Sequence, residues 1–167
     1  MTTIDHYSVS TVLHKKSKGG SNKSHLRGSR QQQAVVNILR AANYLRNYCS
    51  PLFDQHGITA QQYNVLRILR GAGPEGLPTL DIAERMIEQA PGITRLLDRL
   101  EAKKLVRRKR PSGNRRQVIC FVTEAGLDLL RQLDEPMKDQ AVAALQKLKA
   151  SEVEQLIHLL ELAQSGR

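Results

Sequence analysis

The chain has 167 residues, with 26 Lys and Arg against 16 Asp and Glu, for a formal net charge of +10. That length suits one domain with a sizeable core, and 40 % hydrophobic residues with no Trp and two Phe point to an aliphatic core of the kind helices build. No apolar run is long enough to span a bilayer, the N-terminus has no apolar signal segment, and Cys49 and Cys120 lack metal-ligand spacing; a membrane protein and a secreted disulfide framework are set aside, and a reduced cytoplasmic setting is expected.

Residues 1–30 carry six basic residues against Asp5 alone and are rich in Ser, Lys and Gly. They bury too little apolar surface to offset ordering, which predicts a disordered basic tail. It either reaches along a DNA backbone or is an idle extension. In 31–49, Val35, Ile38, Leu39, Ala42, Leu45 and Cys49 fall at helical spacing. Ser50–Pro51 resembles an N-cap followed by Pro at the first helical position, which predicts a kink or restart and a stop at Gly57.

Thr59-Ala-Gln-Gln62 is a capping-box pattern opening a helix over about 60–70, with Tyr63, Leu66 and Leu69 on one face. GAGPEG reads as a loop, and Leu77–Pro78 as a single bridging strand pair. Residues 79–87 read as a short helix with Ile82, Ala83, Met86 and Ile87 inward. A turn leads into a helix at 91–103, where Ile93, Leu96, Leu97 and Leu100 face in and Thr94, Arg95, Asp98 and Arg99 face out. Two helices joined by about three residues make a helix-turn-helix.

Leu105–Arg110 and Gln117–Val122 alternate as strands around a Pro111-Ser-Gly-Asn114 turn. Thr123 caps a helix from 124 to about 149, with Pro136 expected to kink it. Its apolar set is Leu127, Leu130, Leu133, Met137, Ala141, Ala144, Leu145 and Leu148. Ser151-Glu-Val-Glu154 reads as a second capping box, opening a last helix to about Ala163.

The expected fold is therefore mainly α: a winged helix-turn-helix, with a three-helix unit and a β-hairpin wing, flanked by N- and C-terminal helices. The segments are a tail at 1–30, an N-terminal helix at 31–57, a winged-helix DNA-binding region at 58–122 and C-terminal helices at 123–167. Charge follows this division. Residues 77–122 hold eleven basic against five acidic side chains, whereas 123–167 hold five against eight.

In a winged helix the second helix of the pair enters the major groove of double-stranded DNA. The candidate contacts are Gln89, Pro91, Gly92, Thr94 and Arg95 at its N-terminal end, and Arg99 one turn further on. From the wing they are Arg108, Arg110, Ser112, Asn114, Arg115 and Arg116. Arg binds guanine O6 and N7 bidentately, for about 1–3 kcal/mol of discrimination. The competing reading of Arg99 is an ion pair on a solvated face near Asp98 and Glu101. That of Arg116 is an internal role holding the wing. No catalytic motif, cofactor loop or metal site is found around the five histidines. Two rivals to a DNA-binding regulator are a protein-interaction module and a thiol-based redox sensor using Cys49, a residue that reads equally as a small buried hydrophobe.

The run IAERMIEQAPGITRLLDRLEAKKLVRR…NRRQVICFVTEAG resembles the multiple-antibiotic-resistance regulator (MarR) family of bacterial transcription factors. TRLLDRLE at 94–101, NRR at 114–116 and TEAG at 123–126 carry the resemblance. It implies homodimers on pseudo-palindromic DNA, paired through the first helix and the last two, which makes 31–57 the N-terminal dimerisation helix and 123–167 the C-terminal dimerisation helices. It also implies repression relieved by a small phenolic or other anionic effector bound between the DNA-binding and dimerisation regions. Three helices with more apolar stripe than one small core needs agree with a dimer. Two positions depart from the family's pattern. Asn114 stands where Asp is usual in the wing, and Lys104 stands where Gly is usual after the recognition helix, at a strain cost if φ is positive there.

Overall fold

The computed structural model describes residues 29–88, 92–111 and 117–165. The chain falls into two units, Met1–Asn37 and Ile38–Arg167. The described part of the first comprises Ser29 and the opening turns of helix α1 (Arg30–Gln55). Ser29 Oγ accepts from the Gln32 N–H there, and Gln32 Oε1 accepts from the Ser29 N–H.

The second unit continues with α2 (Ala60–Ala72), strand β1 (Leu77–Pro78), α3 (Thr79–Arg85), α4 (Ile93–Ala102), β2 (Val106–Lys109), β3 (Ile119–Val122), α5 (Glu124–Ala144) and α6 (Ala150–Gln164). The strands form one antiparallel sheet in the order β1-β3-β2, with Leu77 opposite Cys120 and Val106 opposite Val122. The mainly helical winged-helix class is the one expected from the sequence. The core joins Val65, Leu66 and Leu69 of α2, Ile82 of α3, Leu97 and Leu100 of α4, Val106 and Cys120 of the sheet, and Leu130 and Leu133 of α5.

Local chemistry sets most boundaries. Thr59 makes the expected capping box: its Oγ1 accepts from the Gln62 N–H at 3.2 Å, and Gln62 Oε1 accepts from the Thr59 N–H at 3.1 Å. Helix α1 stops at Gly57, whose φ is +63°. The predicted restart at Ser50–Pro51 does not occur. The helix runs through Pro51, because Leu52 and Phe53 just beyond it are buried in the core and hold the last turn against one lost hydrogen bond. Helix α5 likewise continues through Pro136, but it ends at Ala144, short of the predicted 149. The last helix starts at Ala150, with Glu152 accepting from the Lys149 N–H at 2.7 Å, so Lys149 and not Ser151 takes the N-cap position.

Ile87 is another difference: it is 84 % exposed. Helix α3 ends at Arg85, and Met86 turns extended (ψ 136°), so the helical period no longer carries Ile87 inward.

The end of α4 is a tight crossover. The Leu105 N–H donates to Leu100 O (3.0 Å) and the Lys104 N–H to Glu101 O (2.8 Å), the two bonds of a Schellman motif. Lys104 has φ +59° and is the only non-glycine with positive φ among the described residues. The next helix is clamped to this corner. Thr123 Oγ1 donates to Lys104 O (2.7 Å) and accepts from the Gly126 N–H (3.1 Å), and the Thr123 N–H donates to Leu105 O (3.1 Å). A Cβ on Gly126 would lie 2.4 Å from Leu105 O.

Two substitutions test this corner. Lys104→Gly relieves the left-handed strain and raises the urea midpoint, by about 0.5–1 kcal/mol in stability. Gly126→Ala forces the corner apart and lowers stability by about 1–3 kcal/mol in the same titration.

Candidate nucleic-acid interface

Helix α4 buries one face and exposes the other. Leu96, Leu97 and Leu100 are buried, while Thr94, Arg95, Asp98 and Arg99 are exposed, the division that the helical period predicts. Among the described residues, the side chain of neither Arg95 nor Arg99 has an ion-pair or hydrogen-bond partner. Gly92 precedes the helix with φ +99° and ψ 34°, a left-handed conformation that suits glycine. No described side chain caps the first amides of α4, which leaves donors and the positive end of the helix dipole facing out.

The base of the hairpin sorts the wing's cations. Arg108 lies opposite Cys120 in the ladder, on the face of the sheet that turns toward the core. Its backbone N–H donates to Glu101 Oε1 (3.2 Å) and its Nε to Glu101 Oε2 (2.8 Å), and its Nη2 reaches Glu101 and also Asp98 Oδ1 (2.7 Å). The side-chain hydrogen bond from Arg108 holds the Glu101 carboxyl below the usual carboxylate range, against the opposing push of burial. Arg108 thus ties β2 to α4. This was not visible in the sequence, where Arg108 reads as one more DNA-contacting cation of the wing and an ion pair near Asp98 and Glu101 is weighed for Arg99 only. Arg107 points to the other side, its guanidinium 4.0 Å over the ring of Phe121, a cation–π stack. Arg110 is exposed at the top of the described hairpin.

An open concavity of about 540 Å³ lies between the start of α3, the outer side of α4 and the hairpin base, lined in part by Thr79, Thr94, Arg108, Arg110 and Gln117. Gln89, Pro91, Ser112, Asn114, Arg115 and Arg116 lie outside the described residues, as does the tail up to residue 28. Cys49 is half-buried on α1, and burial pushes its thiol up, away from the thiolate that redox chemistry needs. Cys120 is buried against Thr79 Oγ1 (3.7 Å), and burial pushes its thiol up as well. No helix of the described residues is long and apolar enough to cross a membrane.

The comparisons with known proteins bear on this arrangement. The MarR family profile matches residues 58–118, from the start of α2 to the edge of β3. A solved MarR transcription factor from Planctomyces limnophilus is 43 % identical, with a TM-score of 0.64, and the match covers 81 % of this chain and 98 % of that one. This chain belongs to the MarR family. The homoprotocatechuate degradative operon repressor of Escherichia coli is 28 % identical over 127 residues, covering 76 % of this chain and 84 % of the repressor. The solved complex of S. aureus MepR with DNA shares the fold, with a TM-score of 0.69 at 22 % identity, over 81 % of this chain and 97 % of that one. The recognised winged-helix pattern of the sequence is thus a MarR-family pattern, and the family is one of transcription regulators.

The pairing of Arg108 separates it from Arg95 by a stability measurement. Arg108→Ala leaves Glu101 without its partner and lowers stability by about 1 kcal/mol or more, whereas Arg95→Ala stays within about 0.5 kcal/mol of the parent. The pH dependence has a fixed sign. A carboxylate held low in the fold stabilises above its ordinary pKa and stops doing so as pH falls through the folded value. The urea midpoints of the parent and Glu101→Gln therefore differ at pH 7, begin to approach each other near the ordinary Glu pKa of about 4.3, and converge only once pH has fallen through the lower folded value.

Proposed function

We propose that this MarR-family chain is a sequence-specific, DNA-binding transcriptional regulator: a cytoplasmic homodimeric repressor released by a small ligand. The observation that carries the reading is the free face of α4. Arg95 and Arg99 lie exposed one turn apart, unpartnered among the described residues, beside uncapped amides. The sequence-derived contacts are assigned to two roles. Gln89, Pro91, Gly92, Thr94, Arg95 and Arg99 read the major groove, and Arg110, Ser112, Asn114, Arg115 and Arg116 hold the backbone. Arg108 belongs to the support of the wing. The name of the Escherichia coli relative, a repressor, and the DNA in the MepR structure favour the same function.

Dimerisation rests on apolar surface that one chain leaves uncovered. Ile38 and Leu39 of α1 and Ile157, Leu159 and Leu162 of α6 are exposed, and no residue of α6 is buried. Val35 and Val36 of the first unit are exposed as well. A second copy burying these faces gives a closed two-fold pair and sets two recognition helices about one DNA turn, roughly 34 Å, apart. Residues 31–57 and 123–167 thus serve pairing and 58–122 serves DNA. For the effector we favour a small phenolic or other anion. Concavities of about 490 and 400 Å³ flank Lys103 where the α1–α2 corner meets the end of α4 and the start of α5, which supports binding between the DNA-binding and pairing regions.

The test is competition binding to the DNA upstream of the chain's own gene. Specific binding exceeds that to random duplex by about 10³-fold or more at moderate salt, and equal binding to both would overturn the reading. Arg95→Ala lowers this ratio more than it lowers random-duplex binding. Arg115→Ala weakens both and reduces the salt slope by about 1.

A further inference from the structure

The described start of the turn after α3, Ile87 and Glu88, hangs from two earlier helices. Asn64 on α2 accepts the Ile87 N–H with its Oδ1 at 3.0 Å. Arg46 on α1 forms an ion pair with Glu88, 42 residues away in sequence. Both charged side chains are about half exposed, so the pair adds little to global stability, about 0–1 kcal/mol. Its position is what distinguishes it. Arg46 lies seven residues, two helical turns, beyond Leu39 of the exposed apolar part of α1. Glu88 stands four residues before Gly92, the left-handed residue that opens α4. At its other end, α4 is bonded to α5 through Thr123.

We propose that the Arg46–Glu88 pair is a positioning link that fixes the entry angle of α4 relative to α1, and so passes the geometry of the pairing helix to the DNA-reading helix. The proposal rests on the reading of α4 as the DNA-reading element. Neither Arg46 nor Glu88 is assigned a DNA contact. An operator with two half-sites requires both reading helices at the correct angle and spacing at once. Random duplex requires only positive charge near phosphate. Loss of the link therefore weakens the two-half-site operator selectively.

The variants are Arg46→Glu, Glu88→Arg and the double exchange, which keeps net charge unchanged and re-forms the pair with its signs reversed. Amide hydrogen exchange of the free, full-length protein is the first readout. Each single variant should speed exchange at residues 96–100, whose amides bond within α4, about 10-fold at an unchanged melting temperature, and the double exchange should bring it back to within about 3-fold of the parent. Affinity for operator and for random duplex is the second readout. Each single variant should lower the operator-to-random ratio about 5- to 10-fold, and the double exchange should restore it. Exchange at 96–100 unaltered in the single variants, or not restored in the double, overturns the link whatever the DNA result. Altered and restored exchange in a protein that never prefers an operator leaves the link standing and removes the DNA-reading role of α4 instead.

Discussion

The structure depends on a division of labour around one short helix. Leu96, Leu97 and Leu100 seat α4 in the core, and burying such side chains contributes about 1.5–3 kcal/mol each before ordering costs. Because the leucines, with Asp98 and Glu101 bonded to Arg108, do the holding, Arg95 and Arg99 are left with no structural partner for their side chains among the described residues. Arg95 and Arg99 are exposed for that reason. The corner after α4 then fixes the helix lengthwise: a Schellman closure at Lys104 and Leu105, with Thr123 bonded to both carbonyls and to the first turn of α5. A helix seated by leucines and bonded at its end is rigid enough to present side chains at a defined angle, which reading base edges demands.

The basic cluster is less uniform than its composition suggests. Arg107 lies over Phe121, Arg108 is committed to Glu101 and Asp98, and Arg110 reaches solvent. Three arginines within four positions thus have three environments, because strand geometry puts Arg107 and Arg108 on opposite faces, of which only the second meets α4, and Arg110 lies beyond the end of β2. Net charge near +10 draws the protein to a polyanion. Which cations touch it is decided by the neighbours that each one finds in the fold.

Much of this was legible in the sequence where the determinants are local. The Thr59 capping box, the stop at Gly57, the single strand pair at Leu77–Pro78 and the two faces of α4 all rest on residues within one or two turns of each other. The departure from the family's glycine at Lys104 correctly marked a positive φ. What was missed is tertiary. Pro51 read as a kink or restart, yet α1 runs on, because buried neighbours outweigh one absent hydrogen bond, and α5 runs through Pro136 as read but stops at Ala144, short of 149. Ile87 fits an inward helical period that ends before reaching it. The partners of Arg108 and of Glu88 lie on other elements, and no spacing rule joins them.

The exposed apolar residues of α1 and α6 complete the picture, since a single chain leaves uncovered the surface that a pair would bury. A pair carries two copies of α4, so DNA should register both. A methylation-protection footprint at guanine N7, on a fragment bound in preference to random duplex, records this directly. The predicted result is two protected patches in the major groove about 10–10.5 base pairs apart, each lost in Arg95→Ala. Protection spread evenly along the duplex, or unchanged by loss of Arg95, would contradict a paired helix that reads sequence.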